Sequence, residues 1–236
     1  MAAPLPLAVS VVMPVYNEAA TVAEVIAAVL RQPEVGELIV VDDGSDDGTW
    51  AAIEALRAGD ARLRAMRHPA NRGKGAALRT GFAAATGAVV VVQDADLEYT
   101  PSDYPALLAP IFAGRGDVVF STRFAGAGAH RVLYFWHSVA NKMLTLFSNM
   151  ATDLNLTDME SGYKAFRREI LERIVLKEDR FGIEPELVAK VARLKPRIYE
   201  VPVSYFGRTY ADGKKIGWRD GVAAFFCIIK YGLLGL

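Results

Sequence analysis

Four consecutive valines, Val89–Val92, lie in an apolar run that covers residues 88–92. Successive side chains of a strand point to opposite faces of its sheet, so a run that is apolar at every position must be buried on both faces. Sheets of this kind are mostly parallel and carry helices on both sides. The run therefore predicts an α/β fold.

Further apolar runs alternate with helical patterns through the first half of the chain. We expect strands at residues 8–15, 38–41, 63–66, 88–93 and 117–121. The helices between them are expected at residues 21–31, 49–57, 75–85 and just after residue 101. Thr21 and Glu24, at the start of the first helix, have the spacing of a capping box. This alternation predicts βαβ units and a mostly parallel sheet flanked by helices.

The second half of the chain is less regular. Helical patterns cover residues 132–150, 167–175, 184–194 and 217–236, and a strand at residues 196–204 is expected to join the same sheet. No long linker, repeat or low-complexity segment interrupts the sequence. We therefore expect residues 1–236 to form a single domain.

The charges of the chain are balanced but unevenly distributed. The 236 residues include 27 Lys and Arg against 27 Asp and Glu, which argues against a general nucleic-acid-binding protein. Residues 1–118 contain 9 basic and 15 acidic side chains, whereas residues 119–236 contain 18 and 12. This asymmetry indicates that the two halves bind different partners.

The sequence predicts neither a secretory signal nor a membrane-spanning helix. The apolar N-terminus has no basic residues and is interrupted by prolines. No apolar run reaches the roughly 18 residues that a transmembrane helix needs. Residues 132–150 and 222–236 are aromatic-rich and flanked by basic residues, which suits either helices on a membrane surface or core helices. The single cysteine, Cys227, excludes an intramolecular disulfide.

Polar clusters follow the predicted strands where each strand ends. They read PVYNE at residues 14–18, DDGSDDGT at residues 42–49, QDADLE at residues 93–98 and STR at residues 121–123. Ligands of open α/β sheets bind at the carboxyl ends of the strands, so these clusters should form one site. The acidic loop at residues 43–54 resembles an EF-hand in spacing, but a strand rather than a helix precedes it, which excludes calcium binding of that kind.

The carboxylates of Asp94, Asp96 and Glu98 alternate along the third of these clusters. Such oxygens suit Mg²⁺ or Mn²⁺, which typically bind one or two carboxylates together with substrate phosphates. The competing interpretation is that Asp96 or Asp103 merely caps the next helix. A basic, glycine-rich loop at residues 71–75 contains Lys74 and opens a helix, where it could hold a phosphate or simply form a solvated turn.

Together these clusters resemble family 2 glycosyltransferases of the GT-A fold. The resemblance rests on PVYNE, VDDGSDDGT at residues 41–49, NRGKGA at residues 71–76 and QDADLEY at residues 93–99. The motif DMESGYKAF at residues 158–166 and the segment VPVS at residues 201–204 make the chain most similar to dolichol- or polyprenyl-phosphate sugar synthases. Related mannosyltransferases often have DADLQ, where this chain has Glu98.

The resemblance implies a metal-dependent, inverting transfer of a sugar from GDP-mannose or a UDP-hexose to a polyprenyl or dolichyl phosphate. It implies a nucleotide-sugar half at residues 8–122 and an acceptor half at residues 123–236. The residues implied for the nucleotide sugar are Pro14, Tyr16, Glu18, Asp42, Asp43, Lys74 and Asp94. Those implied for catalysis are Asp94, Asp96, Arg123 and Arg208, and those for Mg²⁺ or Mn²⁺ are Asp94, Asp96 and Glu98. Those implied for the acceptor phosphate are Arg123, Arg131, Ser161, Arg208 and Lys214.

Three alternatives remain open from the sequence. A family member with a soluble hydroxyl acceptor would need a general base, for which the candidates are Asp94, Asp158, Glu160 and Glu184. A sugar-1-phosphate nucleotidylyltransferase or a non-catalytic binding module would use a similar sheet. For the leading interpretation we expect a cytoplasmic protein that contacts the membrane peripherally.

Overall fold

The computed structural model describes residues 8–124, 132, 134–207 and 218–236. The strands of the first half are β1 (Val9–Val15), β2 (Val35–Asp42), β3 (Leu63–Arg67), β4 (Val89–Val92) and β5 (Val118–Thr122). The helices between them are α1 (Val22–Leu30), α2 (Thr49–Arg57), α3 (Lys74–Ala84) and α4 (Tyr104–Phe112), which follows a 3₁₀ turn at Pro101–Asp103. This alternation confirms the α/β fold predicted from the sequence.

The second half adds two strands to the same sheet and several helices around it. Its elements are α5 (Phe135–Thr152), β6 (Lys164–Arg167), α6 (Arg168–Leu171), α7 (Ile183–Arg193), β7 (Ile198–Pro202) and α8 (Trp218–Cys227), which continues into a π-helical segment at Ile228–Leu233. Within the described residues the strand order is β3-β2-β1-β4-β6-β5-β7. Neighbouring strands are parallel except at β6, which is antiparallel to both β4 and β5.

The valines of β4 are buried on both faces of the sheet, as the sequence predicts. Val89 and Val91 pack in the core beneath α1 and α4, and Val90 and Val92 pack in the core beneath α3 and α7. All four are at most 2% exposed. Each buried valine stabilises the fold by roughly 1.5–3 kcal/mol relative to an exposed one, so this strand anchors the residues that follow it.

The sequence pattern does not predict strand β6. The helix expected at residues 167–175 is also too long, since α6 ends at Leu171. Lys164 starts β6 and is only 2% exposed. A buried lysine is unusual without a partner, and here its ammonium lies 2.5 Å from the carboxylate of Glu184 on α7. The partner is distant in sequence, so the local pattern cannot reveal this strand.

The capping box predicted at Thr21 and Glu24 is wrong. Thr21 makes no side-chain hydrogen bond to the first turn of α1. Its hydroxyl lies 3.0 Å from the backbone oxygen of Ala95 and 3.0 Å from a carboxylate oxygen of Glu18. The start of α1 is therefore tied to the loop after β4, and this places the two predicted binding loops side by side.

Candidate active site

The loops that follow β1, β2, β4 and β5 meet at one edge of the sheet, around a cavity of about 590 Å³. This is the edge expected from the rule that ligands bind at the carboxyl ends of the strands. The side chains that were singled out from the sequence and that line this polar cavity are Pro14, Tyr16, Glu18, Asp43, Lys74, Asp94, Asp96, Glu98 and Arg123.

Two other residues singled out from the sequence do not line the polar cavity. Asp42 is fully buried, and its carboxylate lies 3.0 Å from the guanidinium of Arg67. Ser161 is also buried, and its hydroxyl is hydrogen-bonded to that of Ser121. Of the adjacent aspartates Asp42 and Asp43, only Asp43 therefore lines the polar cavity. Three further candidates lie outside the described residues: Arg131, Arg208 and Lys214.

The acidic loop after β2 holds the loop after β1 in position. The backbone N–H of Asn17 donates to the hydroxyl of Ser45, and the backbone N–H of Glu18 donates to the hydroxyl of Thr49, both at 2.9 Å. Asn17 has a φ of 51°, a left-handed conformation that asparagine adopts more readily than most residues. These bonds fix the backbone that carries Tyr16 and Glu18 at the cavity wall.

Asp43 connects the wall of the polar cavity to the basic, glycine-rich loop. One of its oxygens lies 2.6 Å from Nδ1 of His68, and its carboxylate accepts the backbone N–H groups of Arg72 and Gly73. Gly73 has a φ of 101°, and a Cβ there would collide with the backbone oxygen of Asp179. Glycine is therefore required at this position. Sequence reasoning missed His68, since a lone histidine after a strand carries no pattern.

Lys74 lies in a buried network of alternating charges. Its Nζ is 2.8 Å from Oδ1 of Asp94 and 3.0 Å from Oε1 of Glu184, which also pairs with Lys164. Burial opposes the charge of Lys74, but the carboxylates of Asp94 and Glu184 outweigh it and raise the pKa of the lysine. Burial likewise raises the pKa of Glu184, but Lys164 and Lys74 outweigh it and the net shift is downward. Lys74 and Glu184 are therefore both ionised near neutral pH.

The carboxylates after β4 are held by the surrounding loops. Oδ1 of Asp96 accepts the backbone N–H of Glu98 at 3.1 Å. Oε2 of Glu98 accepts the hydroxyl of Tyr205 at 3.1 Å, which joins the loop after β4 to the residues that follow β7. Tyr205 thereby becomes part of the wall of the polar cavity.

The alternative that Asp96 or Asp103 caps a helix is wrong. The 3₁₀ turn before α4 is capped by Thr100, whose hydroxyl accepts the backbone N–H of Ser102. Asp103 makes no capping bond to α4 and instead accepts the backbone N–H of Ser204 at 2.7 Å. Asp96 thus has no capping role, and it remains at the cavity wall.

Asp94 and Asp96 offer oxygen ligands to a divalent cation. No three His, Cys, Asp or Glu side chains in the described ranges converge closely enough to hold a metal ion by themselves. Magnesium sites commonly use one or two carboxylates and complete their coordination with water and substrate phosphates. The residues present therefore fit a cation that is shared with a phosphorylated ligand.

Arg123 follows β5 and is clamped in place by its neighbours. Its guanidinium makes two hydrogen bonds to the carboxylate of Asp158, at 2.6 and 2.7 Å, and a third to the side chain of Asn141 at 3.2 Å. Burial opposes its charge, but Tyr99 and Asp158 raise its pKa well above the ordinary value. Arg123 is thus a fixed cation at the wall of the polar cavity.

A second, largely apolar cavity of about 860 Å³ lies between α5 and α8. Leu144 and Phe147 line it from α5, and Phe225 and Phe226 line it from α8. It opens onto the polar cavity. The residues that line both cavities are Arg123, His137, Glu160 and Phe181. The site therefore joins a charged compartment to an apolar one.

Helix α5 buries three polar side chains and exposes several large apolar ones. The side chains that it buries are Asn141, Thr145 and Ser148. Phe135 and Trp136 are 69% and 78% exposed, and Met143, Leu146 and Met150 are exposed on later turns. Exposed apolar surface of this extent marks a site of protein or membrane contact. Among the helices of the described segments, none has both the length and the apolar character needed to cross a bilayer.

Comparison with known proteins places these features in context. The family model "Glycosyl transferase family 2" matches residues 10–175. Polyprenol monophosphomannose synthase of Mycolicibacterium smegmatis is 28% identical over 232 residues, which are 95% of this chain and 87% of that protein. Undecaprenyl-phosphate 4-deoxy-4-formamido-L-arabinose transferase of Proteus mirabilis is 31% identical over 211 residues, 87% of this chain. This chain spans only 62% of the length of that second relative.

A solved structure is also similar over nearly the whole chain. It is glucosyl-3-phosphoglycerate synthase of Mycobacterium tuberculosis in complex with Mn²⁺, uridine diphosphate and phosphoglyceric acid. The two structures superpose with a TM-score of 0.73 at 25% sequence identity, and the match covers 95% of this chain and 78% of the other.

Proposed function

This chain is a member of glycosyltransferase family 2, and we propose that it transfers a sugar from a nucleotide-sugar donor to a polyprenyl phosphate. The observation that carries the proposal is the junction of the two cavities at Arg123. A nucleotide-sugar donor accompanied by a divalent cation suits the carboxylate-lined compartment, and an isoprenoid chain suits the apolar one. Membership of a glycosyltransferase family confirms the enzyme class and excludes the nucleotidylyltransferase and the non-catalytic binding module.

On the donor side, Pro14, Tyr16, Glu18 and Asp43 would contact the base and ribose. The donor could be GDP-mannose or a UDP-hexose, since the relatives named above transfer different sugars. Mg²⁺ or Mn²⁺ held by Asp94 and Asp96, with Glu98 beside them, would neutralise charge on the departing nucleoside diphosphate. Lys74 offsets part of the negative charge of the carboxylate cluster.

On the acceptor side, the phosphate would lie at the junction and the lipid would extend between α5 and α8. A phosphate monoester is already an anion near neutral pH. One of its oxygens can attack the anomeric carbon while the bond from that carbon to the nucleoside diphosphate breaks, so no general base is required. The catalysis then depends on positioning and electrostatics, to which the fixed cation of Arg123 contributes.

A family 2 enzyme with a soluble hydroxyl acceptor is the second candidate. The observation that favours it is Glu160, whose pKa is raised to about 7 by burial and by the neighbouring Glu184. A hydroxyl acceptor needs a base with a pKa in that range. The solved relative with phosphoglyceric acid is consistent with such an acceptor.

The exposed aromatic side chains of α5 are proposed to contact a membrane, on its cytoplasmic face. We expect replacement of both Phe135 and Trp136 by serine to abolish most co-flotation with anionic liposomes, because two large apolar side chains no longer enter the interface. Val175 is 74% exposed between α6 and α7, and its replacement by serine is the matched control. Equal flotation of the double variant and this control would refute membrane contact through α5.

Gly162 allows the loop before β6 to pass against Asp94, because a Cβ there would collide with the aspartate carboxylate. Substitution of Gly162 by alanine is expected to displace Asp94 and to lower kcat at least tenfold, since misplacement by about 1 Å can cost roughly 100-fold. Initial rates of nucleoside diphosphate release measure this effect. The matched control is Gly59→Ala, where a Cβ makes only an ordinary contact. A Gly162→Ala enzyme as active as the control contradicts the placement of Asp94.

The donor and acceptor classes can be tested together. We expect a panel of GDP-mannose, UDP-glucose and UDP-GlcNAc, each with a short polyprenyl phosphate and Mg²⁺ or Mn²⁺, to give nucleoside diphosphate release with one donor. Release should require the lipid phosphate. Release that proceeds with a soluble hydroxyl compound and not with the lipid phosphate would support the second candidate instead.

A further inference from the structure

Glu160 lies where the polar and apolar cavities meet, and it lines both of them. It belongs to the loop between α5 and β6, which is held by the rest of the protein on both sides of the glutamate. Before it, the backbone N–H of Met159 donates to the hydroxyl of Thr145 at 3.2 Å. After it, the backbone N–H of Gly162 donates to the hydroxyl of Tyr99 at 3.0 Å. These two hydrogen bonds therefore fix the backbone that places Glu160 at the junction.

Three other acidic side chains near the junction are already matched by cations. Asp158 is bound by Arg123, Asp94 by Lys74, and Glu184 by both Lys74 and Lys164. Oε1 of Glu160 differs from them, because it is inaccessible to solvent and has no hydrogen-bond partner among the described residues. A buried polar atom without a partner is costly in a native fold and calls for an explanation.

The charges around Glu160 favour its neutral form. Burial and Glu184 raise the pKa of its carboxyl group to about 7, against the attraction of Lys164 and Arg123, and Asp158 raises it further. Other charged or titratable groups that line the two cavities include His137 of α5, Arg180 before α7, Asp220 of α8 and the carboxylates of Asp96 and Glu98. An anionic phosphate beside Arg123 would add one more like charge and would shift the carboxyl group toward its protonated state.

We propose that Glu160 binds the acceptor phosphate as a neutral carboxylic acid, donating a hydrogen bond from its proton to a phosphate oxygen, so that acceptor binding takes up a proton. This inference rests on the proposed lipid-phosphate acceptor. A neutral carboxyl group tolerates the buried, unpaired Oε1 better than a carboxylate does, which supports this protonation state. The proton stays on Glu160 throughout the transfer, and the phosphate oxygen alone attacks the sugar. After transfer the phosphate is a singly charged diester, which weakens the hydrogen bond and favours product release.

The test is the pH dependence of the acceptor KM between pH 7 and 9, with farnesyl phosphate as the acceptor. This range lies above the second pKa of the phosphate, which is about 6. In the wild-type enzyme the acceptor KM should rise up to tenfold per pH unit above about pH 7, because only the protonated fraction binds. In Glu160→Gln the amide is a permanent neutral donor, so the acceptor KM should be independent of pH over this range.

Two further measurements make the outcome decisive. Calorimetric titration of the wild-type protein with farnesyl phosphate in two buffers of different ionisation enthalpy should show uptake of roughly half to one proton at pH 7.5. This measurement needs no variant. Glu34, before β2, is the matched control, because it also has a buried oxygen without a partner among the described residues, and Glu34→Gln should keep the wild-type pH profile.

The results that overturn the inference are distinct from those that overturn the proposed function. Loss of kcat in Glu160→Gln with an unchanged acceptor KM would make Glu160 a base. A wild-type KM that does not vary with pH, or the absence of proton uptake, would also refute the inference while lipid-phosphate turnover stands. If farnesyl phosphate is not glycosylated at all and a soluble hydroxyl compound is, the proposed function fails and this inference fails with it.

Discussion

Asp96→Asn is expected to lower kcat by at least about 100-fold. Removal of one group that stabilises charge in a transition state typically has an effect of this size. The amide is neutral and is a weaker ligand for a hard cation than a carboxylate is. Folding should be preserved, because Asp96 lies at the cavity wall and its loss reduces repulsion among Asp94, Asp96 and Glu98. The measurement is metal-dependent release of nucleoside diphosphate, together with thermal unfolding with and without Mn²⁺.

The matched control for this variant is Asp103→Asn, a few residues further along the same segment. Asp103 accepts the backbone N–H of Ser204, and an asparagine oxygen can accept the same bond. We expect the control to retain activity and to keep any increase in thermal stability that Mn²⁺ produces in the wild-type protein. Full metal-dependent activity in Asp96→Asn would overturn the assignment of this residue to the donor site.

Lys74→Met is expected to have the largest effect on stability. It removes the cation shared by the partly buried carboxylate of Asp94 and the buried carboxylate of Glu184, and Glu184 then keeps only Lys164. Removing one member of a buried ion pair typically costs about 3–5 kcal/mol. In a protein of this size each kcal/mol lowers the melting temperature by about 2–4 °C, so the variant should melt at least roughly 6 °C lower. Activity should also fall, since Asp94 loses the contact that orients it.

Two further variants separate this effect from a general loss of surface charge. Arg57→Met removes an exposed ion pair with Glu54, and its effect on the free energy of unfolding should be below about 1 kcal/mol. The double variant Lys74→Met, Asp94→Asn removes the carboxylate that has no other ion pair among the described residues, since Glu184 keeps its pair with Lys164, and it should recover part of the lost stability. A Lys74→Met protein that melts like Arg57→Met would show that the buried network does not contribute as described.

Much of the fold follows from sequence periodicity. The predictions that are wrong fail where a tertiary contact overrides the local pattern. The run of four valines predicts a sheet covered on both faces, because every position is apolar, and the structure confirms this. Strand β6 is not predicted, because it begins with a lysine whose partner, Glu184, lies on α7 and is distant in sequence. The capping box at Thr21 fails because a tertiary contact to Ala95 replaces the local hydrogen bond.

The candidate site shows the same division between local and tertiary information. The convergence of the loops after β1, β2, β4 and β5 is predictable, because parallel strands place their carboxyl ends at one edge. Sequence alone does not distinguish Asp42 from Asp43. The structure does, since Arg67 pairs with the first and His68 contacts the second. The role of Lys74 as a buried anchor depends on Glu184, which no spacing rule connects to it.

The central claim, transfer to a lipid phosphate, is tested most directly by identifying the product. The enzyme would be incubated with its preferred nucleotide sugar and equal concentrations of farnesyl phosphate, farnesol and 3-phosphoglycerate, and the products would be analysed by mass spectrometry. We predict that the sugar is found on farnesyl phosphate alone, because farnesol lacks the attacking phosphate and 3-phosphoglycerate lacks the apolar chain. Transfer to 3-phosphoglycerate or farnesol, with none to farnesyl phosphate, would contradict the claim.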